Sequence, residues 1–190
     1  MEESELLKIF QDSGALLEGH FILSSGLHSA KYLQCALILQ DPKPADKVCS
    51  ALADKFDEDR PTLVIGPALG GVIVAYEVGK TLGVRAIFSE RQEGKMALRR
   101  GFSISPKDRV LVVEDVVTTG GSTNEVIELV KRNGATVVGV GAIVDRSGGK
   151  ADFGVKFQAL LKLEVETFQP QSCPLCKSSP PAIKPGSRGI

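Results

Sequence analysis

Residues 109–123 read Arg109-Val-Leu-Val-Val-Glu-Asp-Val-Val-Thr-Thr-Gly-Gly-Ser-Thr123. A run of β-branched and aliphatic residues ends in two adjacent acids, Glu114 and Asp115, and a loop of small residues follows. The run has the length and composition of a buried strand, and the segment after the loop has the spacing of a helix. Successive strand residues face opposite ways, so at least one carboxylate points into a cleft at the strand end. Thr118, Thr119, Gly120, Gly121 and Ser122 form the loop, whose glycines allow close backbone approach and whose N–H groups and hydroxyls can cradle an anion. A helix starting near Thr123 adds its positive end. A carboxylate pair beside an anion cradle suits a ligand with a sugar diol and a phosphate, such as a phosphorylated ribose. A P-loop would need a Gly-Lys-Ser/Thr ending, and a dinucleotide fingerprint would place its acid some 20 residues after the glycines.

Outward from this stretch, strand and helix patterns alternate. Leu63–Ile65, Arg85–Phe88, Val110–Val113 and Thr136–Val144 read as strands, and 44–58, Gly71–Leu82 and Asn124–Arg132 as helices. Val48, Leu52, Ala53 and Phe56 share one face of the first helix. Helical spacing also runs through Leu6, Leu7, Phe10 and Leu16, which predicts a helix over 3–17. The alternation implies an α/β domain with a mainly parallel twisted sheet flanked by helices, binding ligands at the carboxyl ends of its strands.

At 190 residues the chain can bury the core of one domain, and its zero net charge, with no block of like charge, argues against a nucleic-acid arm. No apolar run approaches the roughly 20 residues of a membrane span, and the acidic start Met1-Glu2-Glu3 is unlike a secretory signal. The expectation is a cytoplasmic protein that binds neither nucleic acid nor membrane. Cys35 and Cys49 lie in apolar contexts and read as small core hydrophobes. Cys173-Pro-Leu-Cys176 has the spacing of half a zinc knuckle, but one pair supplies two ligands where structural zinc takes four. Four prolines between 174 and 185 argue against a regular helix in the tail and for a surface wrap or disorder.

The 112–123 stretch resembles the phosphoribosyl-pyrophosphate motif of type I phosphoribosyltransferases, and three further segments resemble the orotate branch of that family. Phe21-Ile-Leu-Ser-Ser-Gly-Leu-His-Ser29 is similar to the N-terminal segment that helps form a hood over the base. Phe88–Gly101 is similar to the mobile basic loop, and Val144-Asp-Arg-Ser-Gly-Gly149 to the strand end whose arginine binds the orotate carboxylate. With Cys-Pro-Leu-Cys and the closing Lys-Pro-Gly-Ser-Arg, the likeness spans nearly the whole chain.

The resemblance implies a single domain over 1–190, with a core over about 45–168 and a small hood from about 1–40 plus the C-terminal segment. It implies transfer of 5-phosphoribosyl to orotate, with magnesium, in a homodimer whose sites are shared. In the implied site, Glu114 and Asp115 take the ribose hydroxyls and magnesium, directly or through water, and Val116 to Ser122 grip the 5′-phosphate. Leu69 and Gly70 belong to the pyrophosphate loop Gly66–Gly71, where the family often holds a cis peptide, here at Ala68–Leu69. Arg146 binds orotate, a role that fits bidentate recognition of a carboxylate by guanidinium, with Thr118 and Tyr32 against the base. Tyr32 reads equally as a hood-core residue.

Arg91 and Lys95 are the cations of the basic loop that neutralise the leaving diphosphate across the dimer interface, assigned with a one-residue insertion. Lys95, Arg91 and Asp115 are thus the expected catalytic set. Many relatives carry lysine where this chain has Ser24 and Gly70, which shifts charge neutralisation onto Arg91, Lys95 and magnesium. The alternatives are a phosphoribosyltransferase for another base, which needs no cation at 146, and a regulator that kept the fold without catalysis.

Overall fold

A computed structural model describes residues 1–23, 25–163, 165–178 and 180–185. Ser24 and the Gly186-Ser-Arg188 end of the tail motif lie outside the described residues. The chain opens with α1 (Glu3–Asp12), the antiparallel hairpin β1 (Leu16–Ile22) and β2 (His28–Leu33), then α2 (Ala36–Leu39) and α3 (Pro42–Ala53). The alternating body follows as β3 (Leu63–Pro67), α4 (Gly70–Leu82), β4 (Arg85–Gln92), β5 (Lys95–Ala97), β6 (Arg109–Val117), α5 (Gly121–Arg132), β7 (Thr136–Asp145) and β8 (Phe157–Lys162). Last come β9 (Thr167–Phe168) and the one-turn helix α6 (Leu175–Ser178).

Two sheets result. The larger has the order β5-β4-β3-β6-β7-β8, with β4, β3, β6, β7 and β8 parallel and β5 antiparallel at the edge. The smaller is β1-β2-β9. In the larger sheet the chain runs outward from β3 to β4, then returns to the other side of β3 to lay down β6. This reversal opens a crevice between the loops that follow β3 and β6, the place where ligands bind in such sheets. All five residues of β3 and the last seven of β7 are buried, as expected of strands covered on both faces.

Several boundaries move from their sequence expectation. The first helix ends at Asp12, and Leu16, in helical phase with Phe10, opens β1 instead. Gly14 at φ 66 breaks the helix before its phase reaches Leu16. Asp41 caps α3 by accepting from the Lys43 amide at 3.1 Å, with Pro42 at the first helical position. That helix becomes a 3₁₀ turn after Ala53, yet Val48, Leu52, Ala53 and Phe56 are all fully buried. β6 continues through the acids to Val117, and α5 begins at Gly121. Cys35 and Cys49 are both buried in the core formed by α1, α3 and α4 against the sheet, and burial raises the Cys49 thiol to about 12. In the tail, a single helical turn fits between Pro174 and the later prolines. The segment then pairs with β1: Ile22 N–H donates to Ile183 O at 2.8 Å, and Ile183 N–H to His20 O at 2.9 Å.

Candidate active site

The acidic pair sits near the end of β6. Glu114 is buried, and its carboxyl is pushed up to about 9, first by desolvation and then by the neighbouring Asp115 charge. Asp115 is half-buried, and its Oδ1 accepts from the Val116 amide at 2.8 Å. Gly70 makes room for it: a Cβ at position 70 would lie 2.5 Å from the Asp115 carboxylate. A lysine at 70 would therefore have to displace this side chain.

Beyond the acids, Val117 is buried and Thr118 and Thr119 are exposed. Gly120 caps α5 at φ 76, a conformation that only glycine adopts without strain, and its missing side chain leaves space for Phe153. Among the described residues, the backbone N–H groups from Thr118 to Thr123 have no protein acceptor. Successive unpaired amides at the N-terminus of a three-turn helix make an anion cradle.

A cleft of about 550 Å³ adjoins this loop. Thr118, Thr119 and Arg146 line one side, and Leu23, Val165 and Thr167 of the small sheet and its connections line the other. Arg146 is fixed at the end of β7, where its N–H donates to Val117 O at 2.8 Å and the buried Asp145 accepts from the Ser147 amide at 2.8 Å. The guanidinium is half-buried, and desolvation holds it below its usual range, with Tyr32 and Cys35 acting in the opposite sense. Among the described residues no carboxylate pairs with it. Lys150 also lines the cleft, though sequence reasoning passed it over. It follows directly on the Arg146–Gly149 segment, but a lone lysine in a Gly-rich turn carries no periodic signal.

The remaining predicted residues lie elsewhere. Tyr32 packs its ring against Phe21, donates its hydroxyl to Pro185 O at 3.2 Å and is not among the cleft-lining residues. The Ala68–Leu69 peptide is cis, and Leu69 is 86 % exposed at the start of α4. Arg91 and Lys95 stand on the β4–β5 hairpin, joined by Glu93 and Gly94, both at positive φ as a two-residue I′ turn requires. Arg91 makes a bidentate pair with Glu125 of α5, both contacts at 2.9 Å, and neither cation lines the cleft of its own chain.

Residues 36–155 match the phosphoribosyl transferase domain. An orotate phosphoribosyltransferase of Desulforamulus reducens is 56 % identical over 190 residues, covering all of both chains. The chain belongs to the orotate phosphoribosyltransferase family. Its fold agrees with that of the family enzyme from Aeropyrum pernix (TM-score 0.68, 31 % identity, 83 % of this chain and 93 % of that one). The Mycobacterium tuberculosis enzyme in complex with 5-phospho-α-D-ribosyl 1-diphosphate gives a TM-score of 0.68 at 25 % identity, covering 85 % of this chain and 96 % of that one. Among the described residues no helix is long and apolar enough to cross a membrane.

Proposed function

We propose that this protein transfers the 5-phosphoribosyl group from phosphoribosyl pyrophosphate to N1 of orotate, releasing pyrophosphate and orotidine 5′-phosphate, a step of pyrimidine synthesis in the cytoplasm. The observation that carries this reading is Arg146: a half-buried guanidinium, without a carboxylate partner among the described residues, in the same cleft as the loop whose backbone N–H groups have no protein acceptor there. A carboxylated base and a 5′-phosphate are complementary to those two features.

In the proposed reaction the amides and hydroxyls of Thr118 to Ser122 hold the 5′-phosphate, and Asp115 and Glu114 accept from the ribose hydroxyls. The C1′–diphosphate bond lengthens to an oxocarbenium-like state before N1 attacks, so no side-chain nucleophile is needed. Two adjacent acids with no cationic partner among the described residues, one of them driven toward its neutral form, fit a divalent cation shared with the substrate. Magnesium held by Asp115 and Glu114, directly or through water, would supply charge neutralisation for the leaving diphosphate.

The remaining positive charge is proposed to come from Arg91 and Lys95 of a second copy. Two features support a homodimer with shared sites. These cations do not line their own cleft. The outer face of α4 leaves Leu69, Ile73 and Tyr76 exposed by 86, 43 and 65 %, an apolar stripe at helical spacing that a partner would cover. The single domain would then work as a core over about 45–168, with the small sheet as the hood over the base. Turnover with orotate, uracil, adenine, hypoxanthine and xanthine in the presence of magnesium tests the assignment. Orotate is expected to be strongly preferred, and preference for a base without a carboxylate would reject it.

A further inference from the structure

Four side chains unconnected with the cleft converge where the tail crosses the small sheet. His20 lies on β1, His28 opens β2, and Cys173 and Cys176 flank the start of α6. Their ligand atoms all lie within 4.8 Å of one another, and His20, His28 and Cys173 are buried. His20 Nε2 is 2.9 Å from His28 Nδ1, 3.7 Å from Cys173 Sγ and 3.8 Å from Cys176 Sγ. Cys176 Sγ is 3.4 Å from His28 Nδ1.

A tetrahedral ion with ordinary Zn–N and Zn–S bonds sets ligand separations of about 3.3 Å for N···N and about 3.6 Å for N···S. The four spacings just given lie within about 0.4 Å of these, and the outer bound of 4.8 Å is closed by a small movement of the side chains onto an ion. The ring of His20 is also oriented for ligation: Nδ1 lies 3.0 Å from Pro180 O, and because a carbonyl only accepts, Nδ1 carries the proton and Nε2 presents its lone pair. Three groups then crowd one lone pair that could accept a single hydrogen bond. A cation at the centre satisfies all four at once.

We propose that His20, His28, Cys173 and Cys176 form a closed structural zinc site that staples the C-terminal tail to the β1–β2 hairpin. Two thiolates and two imidazoles in tetrahedral array select zinc among common ions, and four protein ligands leave no open position for catalysis. Binding releases the two thiol protons. The two histidines that sequence reasoning lacked come from the chain's N-terminal part, some 150 residues before the cysteines. They also bracket the connection that carries Leu23 and Ser25 into the cleft, so the ion would brace the base of that loop. This proposal does not depend on the reaction assigned above.

The test is elemental analysis and zinc-edge X-ray absorption of the whole protein, purified without chelator. One zinc per chain with two sulfur and two nitrogen ligands is the expected result. His28→Ala and Cys176→Ser should each reduce zinc to a trace, and chelation of the wild type should lower Tm and speed tryptic cleavage after Lys177. Metal-free protein with two titratable thiols, a Cys173–Cys176 disulfide in the purified chain, or zinc retained by the His28→Ala variant would each overturn it. The wild-type measurement stands even if a variant fails to fold.

Discussion

Replacing Arg146 with alanine isolates the contact that specifies the base. The side chain is half-buried in the free protein, so desolvation lowers its pKa, and among the described residues no carboxylate holds it. Little reorganisation therefore precedes binding, and the two charge-assisted N–H···O bonds to a carboxylate contribute nearly their full strength. Losing such a pair costs about 3–4 kcal/mol at a partly solvated site. At about 1.4 kcal/mol per decade, kcat/KM for orotate should fall roughly 10²–10³-fold. Turnover of uracil, slow in the wild type, should change less than tenfold, so selectivity collapses. The same change orphans no anion, and Tm should stay level or rise slightly because a desolvated cation is gone. Arg146→Lys keeps charge without the fork and should recover only part of the loss. The assay is initial rate against each base at saturating phosphoribosyl pyrophosphate, with calorimetry on the same samples. Equal losses for orotate and uracil, or undiminished orotate turnover, would refute the assignment.

Other outcomes follow from the same geometry. Gly120→Ala combines left-handed strain with a methyl 2.8 Å from Phe153 Cε1 and should cost about 2–4 kcal/mol in urea unfolding; a loss under about 1 kcal/mol would mean the cap relaxes freely. Ile73→Asp should convert dimer to monomer in sedimentation and abolish turnover, because each cleft would lose the partner's cations; a fully active monomer would contradict sharing. Glu114 is raised from an ordinary 4.5 to about 9, so the folded state prefers it protonated. Without metal or ligand, stability should therefore be greatest below pH 4.5 as far as this group is concerned and decline as pH rises toward 9. Glu114→Gln should flatten that decline, and unchanged pH dependence of urea unfolding would show that the carboxyl is not desolvated in solution.

The alternating body was legible because its strands are covered on both faces. Short β-branched runs such as Val110–Val113, bounded by turn residues, read as interior strands, and the Gly-rich segments between them as turns. The loop after β6 stood out for a chemical reason, since two acids followed by hydroxyls and glycines combine acceptors for a diol with donors for an anion. The hood was not. β1, β2 and β9 are short and partly exposed, and helical phase carried the sequence reading past Gly14 into Leu16. Local sequence cannot register the bond between Ile183 and β1, which closes across 161 residues.

By itself the sequence determined which residues line one strand end, because neighbours along a chain stay neighbours in a fold. Only the tertiary structure decided which distant groups meet. The reversal of strand order between β3 and β6 brings Gly70 against Asp115, and the tail's return along β1 sets two cysteines beside two histidines. Such meetings depend on long loops closing over a packed core, and no period or motif along the chain encodes them.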